Sequence, residues 1–108
     1  MSKTIVLTVG HNVGNNPMFK TSEICDYAAD YLGVEAFTAS QCFGMWQGER
    51  EDSTRIEICA LSDDEAEAIR ARVPLLAQVL GQQAIMCEIR PDHVEFIERE
   101  TVAAIKQA

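Results

Sequence analysis

Apolar and polar residues alternate with two different periods along the chain, and each change of period marks a new element. Residues 4–9 alternate with a period of two, and Val6 adds an apolar side chain on the second face of this stretch. A strand that is apolar on both faces is typical of the centre of a sheet. The pattern therefore predicts a central first strand, followed over residues 10–17 by a loop rich in Gly and Asn.

Two stretches show the helical period instead. The first begins at Thr21 or Ser22, either of which can cap a helix, and ends at Gly33. The second begins with a capping box over residues 62–65 and carries one apolar stripe, formed by Ile69, Val73, Leu76 and Leu80. Pro74 interrupts that stripe, so we expect a kink or a break in the second helix.

The period of two returns between the helices, in residues 34–47 and again in residues 53–60. The polar stretch 48–52 separates them and is typical of a turn. These residues therefore predict an antiparallel hairpin of two strands.

The residues after the second helix predict another strand over residues 84–89, with inward-facing Ile85, Cys87 and Ile89. The stretch 90–92 is typical of a turn, and Val94 and Phe96 predict a short extra strand beyond it.

The complete order of elements is β-α-β-β-α-β, which predicts a ferredoxin-like α+β sandwich with an antiparallel sheet and both helices on one face. We expect a single domain over residues 1–97 and a C-terminal tail, 98–108, of helical composition. Small sheets of this kind often bury their second face against another copy. By this analogy we expect a homo-oligomer, either a dimer or an assembly built from dimers.

The composition excludes several classes of protein. The chain has 108 residues, and 9 Lys and Arg stand against 17 Asp and Glu, which gives a net charge of −8. This balance disfavours binding to nucleic-acid polymers, whose backbones are held by clustered cations. No apolar run approaches the roughly 18 residues of a membrane helix, and no signal peptide is recognisable at the N-terminus. We therefore expect a cytoplasmic protein, in the host cell if a phage encodes it.

Four cysteines, Cys25, Cys42, Cys59 and Cys87, are spread along the chain without a C-x-x-C pair. This spacing favours reduced thiols over a metal site or a disulfide framework. The sequence also lacks G-x-S-x-G, P-loop and H-E-x-x-H motifs. His11 has no acidic residue beside it in sequence, so we expect no catalytic residues, no metal and no cofactor.

The stretch around Trp46 is the most distinctive part of the sequence. This only Trp of the chain lies between Gly44 and Gly48, near the end of a predicted strand. Glycines allow a flat ligand or another backbone to approach closely, and a Trp ring can stack on a base or anchor an interface. A Trp that covers the end of the core is an equally good interpretation.

Several short motifs together resemble a family of small bacterial and phage domains of unknown function with a ferredoxin-like fold. The resemblance covers residues 35–97 and rests on Phe37-Thr38, Gly44-x-Trp46-x-Gly48, Glu51-x-Ser53 and Gly81-Gln82-Gln83. The chain is also similar to the phage Thoeris anti-defence proteins of the first type. Those proteins are non-enzymatic, form dimers and larger assemblies, and trap cyclic ADP-ribose-type signals or cyclic oligonucleotides.

The resemblance implies a non-enzymatic phage anti-defence protein that sequesters a nucleotide-derived small molecule. Such a site would place aromatic rings on bases, and Arg or polar side chains on phosphates. The corresponding interpretation assigns stacking to Phe43 and Trp46, phosphate contacts to Arg55 and Arg90, and polar contacts to His11, Asn12 and Gln83.

Two alternatives remain open from the sequence. One is an enzyme acting on a small molecule, in which His11 is an acid or base and folding brings Glu51 close to it. The other is a protein-interaction module that buries Trp46 and the second face of the sheet against a partner.

Overall fold

A computed structural model describes residues 2–99 of the chain, apart from the side chain of Trp46. The elements follow in the order β1 (Ser2–Gly10), β2 (Asn12–Val13), β3 (Asn16–Pro17), α1 (Thr21–Leu32), β4 (Thr38–Trp46), β5 (Glu49–Leu61), α2 (Asp63–Val79) and β6 (Met86–Asp92). Four strands form one antiparallel sheet in the order β4-β5-β1-β6, and β2 pairs with β3 in a separate ribbon. The predicted ferredoxin-like α+β sandwich is confirmed.

β1 is one of the two inner strands, because it pairs with β5 along one edge and with β6 along the other, and β5 is the second, between β1 and β4. On one face its apolar side chains lie in the core, together with buried residues of both helices, among them Ile24, Leu32, Ile69 and Leu76. On the other face, here called the open face, Val6 is still only 1% exposed. The apolar character of β1 on both faces, read from the sequence, therefore matches its burial on both faces.

Charged side chains surround Val6 on the open face. Across the sheet, Val6 lies between Glu57 and Glu88 of the two neighbouring strands. The next residue of β1 on this face is Thr8, which lies between Arg55 and Met86. The Arg55 guanidinium pairs with the Glu57 carboxylate at 3.0 Å. These charged side chains surround Val6, so the centre of the sheet is shielded by their aliphatic parts as well as by its neighbours.

The caps predicted at Ser62 and Gly33 are both present in the structure. The Ser62 hydroxyl accepts a hydrogen bond from the Glu65 N–H at 3.1 Å, and the Glu65 carboxylate accepts one from the Ser62 N–H at 2.9 Å. Gly33 ends α1 in the left-handed conformation, as predicted. The cap of α1, however, is Lys20. Thr21 is therefore already helical, and its hydroxyl is available for a tertiary contact.

Pro74 does not break α2, which runs without interruption from Asp63 to Val79. Val73 and Leu76, on either side of the proline, are both buried in the core. Packing of both halves against the sheet therefore keeps the helix continuous across the missing hydrogen bond.

The hairpin differs from the sequence prediction in its turn. The chain reverses at Gln47 and Gly48, which both have positive φ, at 51° and 82°. A two-residue turn of this kind matches the twist of the adjoining strands. Residues 49–52, predicted as turn, therefore belong to β5, while 34–37, predicted as strand, precede β4.

The C-terminal part of the prediction is wrong in two places. Residues 90–92 belong to β6, where Pro91 pairs with Lys3 on an edge strand that tolerates proline. The short extra strand over Val94 and Phe96 is replaced by residues without regular structure. The pairing of β6 with β1 ends at Asp92 and Ser2. Most of the predicted tail, from residue 100 onward, lies outside the described residues.

Two further features are the character of the helices and the state of the cysteines. No helix in the stretch 2–99 combines the length and the apolar character needed to cross a bilayer. The four cysteines are free thiols, and Cys59 and Cys87 are exposed.

The Asp92 side chain links β6 to β1 and β5 at one end of the sheet. Its carboxylate accepts hydrogen bonds from the hydroxyls of Ser2 and Thr4 and, at 3.2 Å, from the backbone N–H of Ala60. Ala60 has a φ of 59° and lies where the register between β1 and β5 shifts. The hydrogen bonds from Ser2 and then Thr4 lower the pKa of Asp92 below its ordinary value.

Asp92→Asn should therefore lower the melting temperature at neutral pH. The folded pKa is lower than the unfolded one, so this stabilisation is complete above the unfolded pKa and is lost as pH falls through the folded pKa. The difference in melting temperature from wild type should be largest near neutral pH and shrink in acid. Glu88→Gln, on the same face of β6, is the matched control. A difference that is constant across the pH range would contradict this account.

Candidate functional site

His11 follows directly after β1, and its contacts hold the chain in place where that strand ends. Its side chain is 6% exposed, and its Nε2 lies 2.7 Å from the Thr54 hydroxyl. That hydroxyl is in turn 2.9 Å from the hydroxyl of Thr21, at the start of α1. The His11 N–H donates to the Asp52 carbonyl at 2.9 Å. One buried hydrogen-bonded chain therefore joins the end of β1, the middle of β5 and the first turn of α1.

A cleft of about 460 Å³ opens beside His11. Its walls come from the turn after β1, the β2–β3 ribbon, the first turn of α1 and the neighbouring strands, through His11, Asn12, Pro17, Phe19, Lys20, Thr21, Ser22, Gln41 and Asp52. This volume lies within the range of about 300–1,000 Å³ that is typical of small-molecule sites. The cleft is therefore the candidate functional site among the described residues.

The lining of the cleft combines one aromatic ring with several polar groups. The Phe19 ring is held edge-on against Tyr27, with ring centres 5.9 Å apart. The amides of Asn12 and Gln41 offer both donors and acceptors, while Lys20 and Asp52 bring one charge of each sign. This lining suits a largely neutral, flat and polar molecule better than a multiply charged anion.

The side chains of Glu51 and Gln82 lie against Gly10 and form a second polar group beside the turn. A Cβ at this position would collide with the Glu51 carboxylate, and it would lie 3.1 Å from the side-chain oxygen of Gln82. The Gln82 amide donates to the Asn12 carbonyl at 2.7 Å. Glycine at position 10 is therefore what allows Glu51 and Gln82 to close against the turn.

The structure corrects the proposed pairing of His11 with Glu51. Glu51 has the same strand parity as Ser53, which pairs with Gly10 on the open face, whereas His11 is bonded to Thr54 on the helix side. The neighbouring residue, Asp52, lines the cleft with His11. Adjacent residues of a strand point to opposite faces, so a shift of one position changes which carboxylate shares the site with the histidine.

The structure divides the predicted binding residues between separate places. His11 and Asn12 share the cleft, whereas Arg55 and Arg90 have the open-face parity of β5 and β6. Gln83 is exposed after α2 and does not line the cleft. Phe43 is 59% exposed on β4, with the Arg50 guanidinium 4.1 Å from its ring centre. Phe43 is not part of the lining, but it pairs with Asp52 and lies on the same face of the sheet as the cleft. The backbone of Trp46 pairs with Glu49 at the tip of the hairpin.

Sequence reasoning missed Thr54, Thr21 and Gln41. Thr54 did leave a signal, because it occupies a core-facing position of the strand that otherwise carries Ile56 and Ile58. A polar residue on the apolar face of a strand predicts a buried hydrogen-bond partner. Its partner His11 lies 43 positions away in the chain, so only the fold reveals the pair.

The arrangement gives no sign of a metal centre. Within residues 2–99, no three His, Cys, Asp or Glu side chains are grouped so that they could hold a metal ion.

Comparison with known proteins supports the fold and assigns no family. No family model matches the chain, and no curated protein matches it. Among solved structures, a phage SAM lyase in complex with S-methyl-5'-thioadenosine is 21% identical with a TM-score of 0.60, covering 82% of this chain and 80% of that one. A second structure, of a phage SAM lyase in its apo state, is 22% identical with a TM-score of 0.64, covering 82% of this chain and 78% of that one.

A bacterial protein has a similar fold as well. A DUF3240 family protein from Shewanella baltica is 12% identical with a TM-score of 0.65, covering 91% of this chain and 97% of that one. At these identities the likeness shows the shared fold, which phage and bacterial proteins both use.

Thr54→Val tests the buried hydrogen-bonded chain. The substitution keeps the shape but removes the hydroxyl that contacts both His11 and Thr21, so it should cost about 1–3 kcal/mol of unfolding free energy. Urea denaturation gives this value. Thr8→Val, on the open face of β1, is the matched control and should stay within about 0.5 kcal/mol of wild type. Equal effects of the two variants would argue against the contact.

Proposed function

We propose that this protein binds a small adenosine-derived molecule in the cleft beside His11 and withdraws it from use, as a phage anti-defence protein. The observation that carries the proposal is the cleft itself, whose volume and mixed aromatic and amide lining suit a nucleoside.

Each part of a nucleoside has a chemical match in the cleft. The Phe19 ring offers a stacking surface for a base, and the amides of Asn12 and Gln41 can bond the donor and acceptor atoms on its edge. The Asp52 carboxylate and the Ser22 hydroxyl can accept hydrogen bonds from ribose hydroxyls. In this proposal, His11 fixes the turn that carries Asn12, rather than reacting with the ligand.

The net charge of the chain and the charges in the cleft favour some ligands over others. Cyclic ADP-ribose-type signals and cyclic oligonucleotides carry phosphates, whereas the chain has a net charge of −8 and Lys20 is the only Lys or Arg in the cleft lining. S-adenosylmethionine carries a sulfonium cation, and S-methyl-5'-thioadenosine is neutral. Long-range electrostatics therefore favours these two compounds over the phosphate-bearing signals. The methylthioadenosine named with one of the structural neighbours supports the same ligand class.

Thermal shift and calorimetric titration test the proposal with S-adenosylmethionine, S-methyl-5'-thioadenosine, cyclic ADP-ribose and cyclic di-AMP as probes. A ligand that binds only the folded state must raise the melting temperature. Gln41→Ala should weaken binding about tenfold, the effect of losing one hydrogen bond of about 1.4 kcal/mol.

Ser40→Ala is the matched control for Gln41→Ala, because it lies on the same strand with the opposite parity and is likewise exposed. Arg55→Ala and Arg90→Ala test the phosphate contacts assigned from the sequence. Loss of affinity in the arginine variants with none in Gln41→Ala would move the site to the open face. No shift with any probe would overturn the proposal and favour the protein-interaction alternative.

A second candidate function is cleavage of S-adenosylmethionine. It is favoured by the structural likeness to two SAM lyase structures and by the carboxylates of Asp52 and Glu51 on either side of the Gly10 turn. A carboxylate can attract the sulfonium substrate into the site, and it can act as a base that removes a proton from the amino-acid chain as the carbon–sulfur bond breaks and the neutral thioether S-methyl-5'-thioadenosine leaves.

Incubation with S-adenosylmethionine, followed by heat denaturation and chromatography, separates the two functions. Sequestration returns the intact compound, whereas cleavage releases S-methyl-5'-thioadenosine faster than a protein-free control. If cleavage occurs, Asp52→Asn should abolish it when chemistry takes place in the cleft, and Glu51→Gln should abolish it when chemistry takes place on the open face. Release at the rate of the protein-free control would rule out the enzymatic function.

A further inference from the structure

A second concave surface lies away from His11, between α2 and the edge strand β6. It has a volume of about 420 Å³ and is lined mainly by Val73, Pro74, Ile85, Cys87 and Ile89, with Arg70 beside them. Here it is called the β6 groove. Within residues 2–99, β6 pairs only with β1, so its outer edge remains open. An edge strand beside exposed apolar side chains is a site that proteins normally cover.

The seven residues after β6 carry matching apolar side chains. In this segment, the C-terminal arm (93–99), Phe96 is 85% exposed and Ile97 is 87% exposed, and Val94 is exposed as well. Glu95 of the arm pairs with His93 at 2.8 Å, and Arg70 in the groove pairs with Glu67 at 3.2 Å across an exposed turn of α2. Glu98 shares the strand parity of Phe96 and is the carboxylate of the arm that can approach Arg70. The arm and the groove therefore match mainly in apolar surface.

The sequence of the arm favours a groove on another molecule. To return to its own groove, the chain would have to reverse directly after Asp92. Residues 93–99 contain no Gly, Pro, Asn, Asp or Ser, the residues that form tight turns. Asp92 itself is held by Ser2 and Thr4, and Val94 and Phe96 favour extended backbone. The arm is therefore directed away from its own β6.

We propose that the C-terminal arm of one copy of this chain lies in the β6 groove of a second copy, with Val94 and Phe96, which share one side of an extended segment, as its apolar anchors. The exchange is reciprocal, so each copy both gives an arm and receives one. Phe96 alone can bury about 150–250 Å², and the arm with the groove it covers buries on the order of 600 Å². Two such contacts reach about 1,200 Å², the lower end of the range of specific interfaces.

A designed disulfide tests the contact directly, because the groove already holds an exposed thiol, Cys87. Phe96→Cys is made in a chain whose other three cysteines are replaced, and the pair is oxidised with diamide. The expected product is a disulfide between Cys87 and the thiol introduced at position 96. It should run at twice the chain mass of 12.0 kDa, or at a higher multiple, on a non-reducing gel. Glu49→Cys, at the hairpin tip, is the matched control and should form at least tenfold less cross-linked product.

Two outcomes of this experiment would overturn the proposal. A disulfide between Cys87 and position 96 within a single chain would show that the arm returns to its own groove. Cross-linking no greater than that of the Glu49→Cys control would show that the arm lies elsewhere.

Light scattering of the unmodified chain gives a second readout. Val94→Glu with Phe96→Glu should raise the dissociation constant at least tenfold, whereas Met45→Glu, an exposed apolar position on β4, should leave it unchanged. A wild-type chain that stays monomeric at 100 µM or more would also overturn the proposal, whatever the result of ligand binding.

Discussion

The pairing of β1 on both of its edges is the constraint on which the rest of the structure depends. β5 and β6 can occupy one sheet only because β1 lies between them, and both helices pack on the face that carries Ile5, Leu7 and Val9. β5 is also paired on both edges, with β1 and β4, but it carries Arg55 and Glu57 on its open face. β1 differs in placing an apolar side chain, Val6, at the centre of that face, where it is buried.

The candidate site is a consequence of where that pairing stops. β5 continues beyond the point at which Gly10 pairs with Ser53, so the chain after β1 turns against a strand that is still extended. His11 is drawn to Thr54 on one side of β5, while Glu51 and Gln82 close on Gly10 from the other. The turn at Gly10 and His11 therefore separates two polar environments, one on each side of β5. The different side chains in these two environments give the region its two candidate functions.

The sequence was informative where the signal is local. The Ser62 capping box, the left-handed Gly33 and the alternation in β1 and β5 are each determined by a few neighbouring residues, and all are present in the structure. The failures concern partners that are distant in sequence. Pro91 resembles a turn residue until its pairing with Lys3 is known, and Thr54 resembles an ordinary strand residue until His11 is found beside it. Asp52 could not be distinguished from Glu51 without the strand register, because one position decides the face.

The order of strands in the sheet also has a consequence for synthesis on the ribosome. β1 is made first, yet its second neighbour, β6, ends at Asp92, near the end of the described chain. Until those residues emerge, β1 can pair on one side only, and its other edge offers unsatisfied backbone groups next to Val6 and Leu7. The nascent chain thus holds a template for strand addition until β6 has emerged. Rapid formation of the local β4–β5 hairpin and docking of β1 against β5 would then reduce the exposure of this edge before β6 completes the sheet.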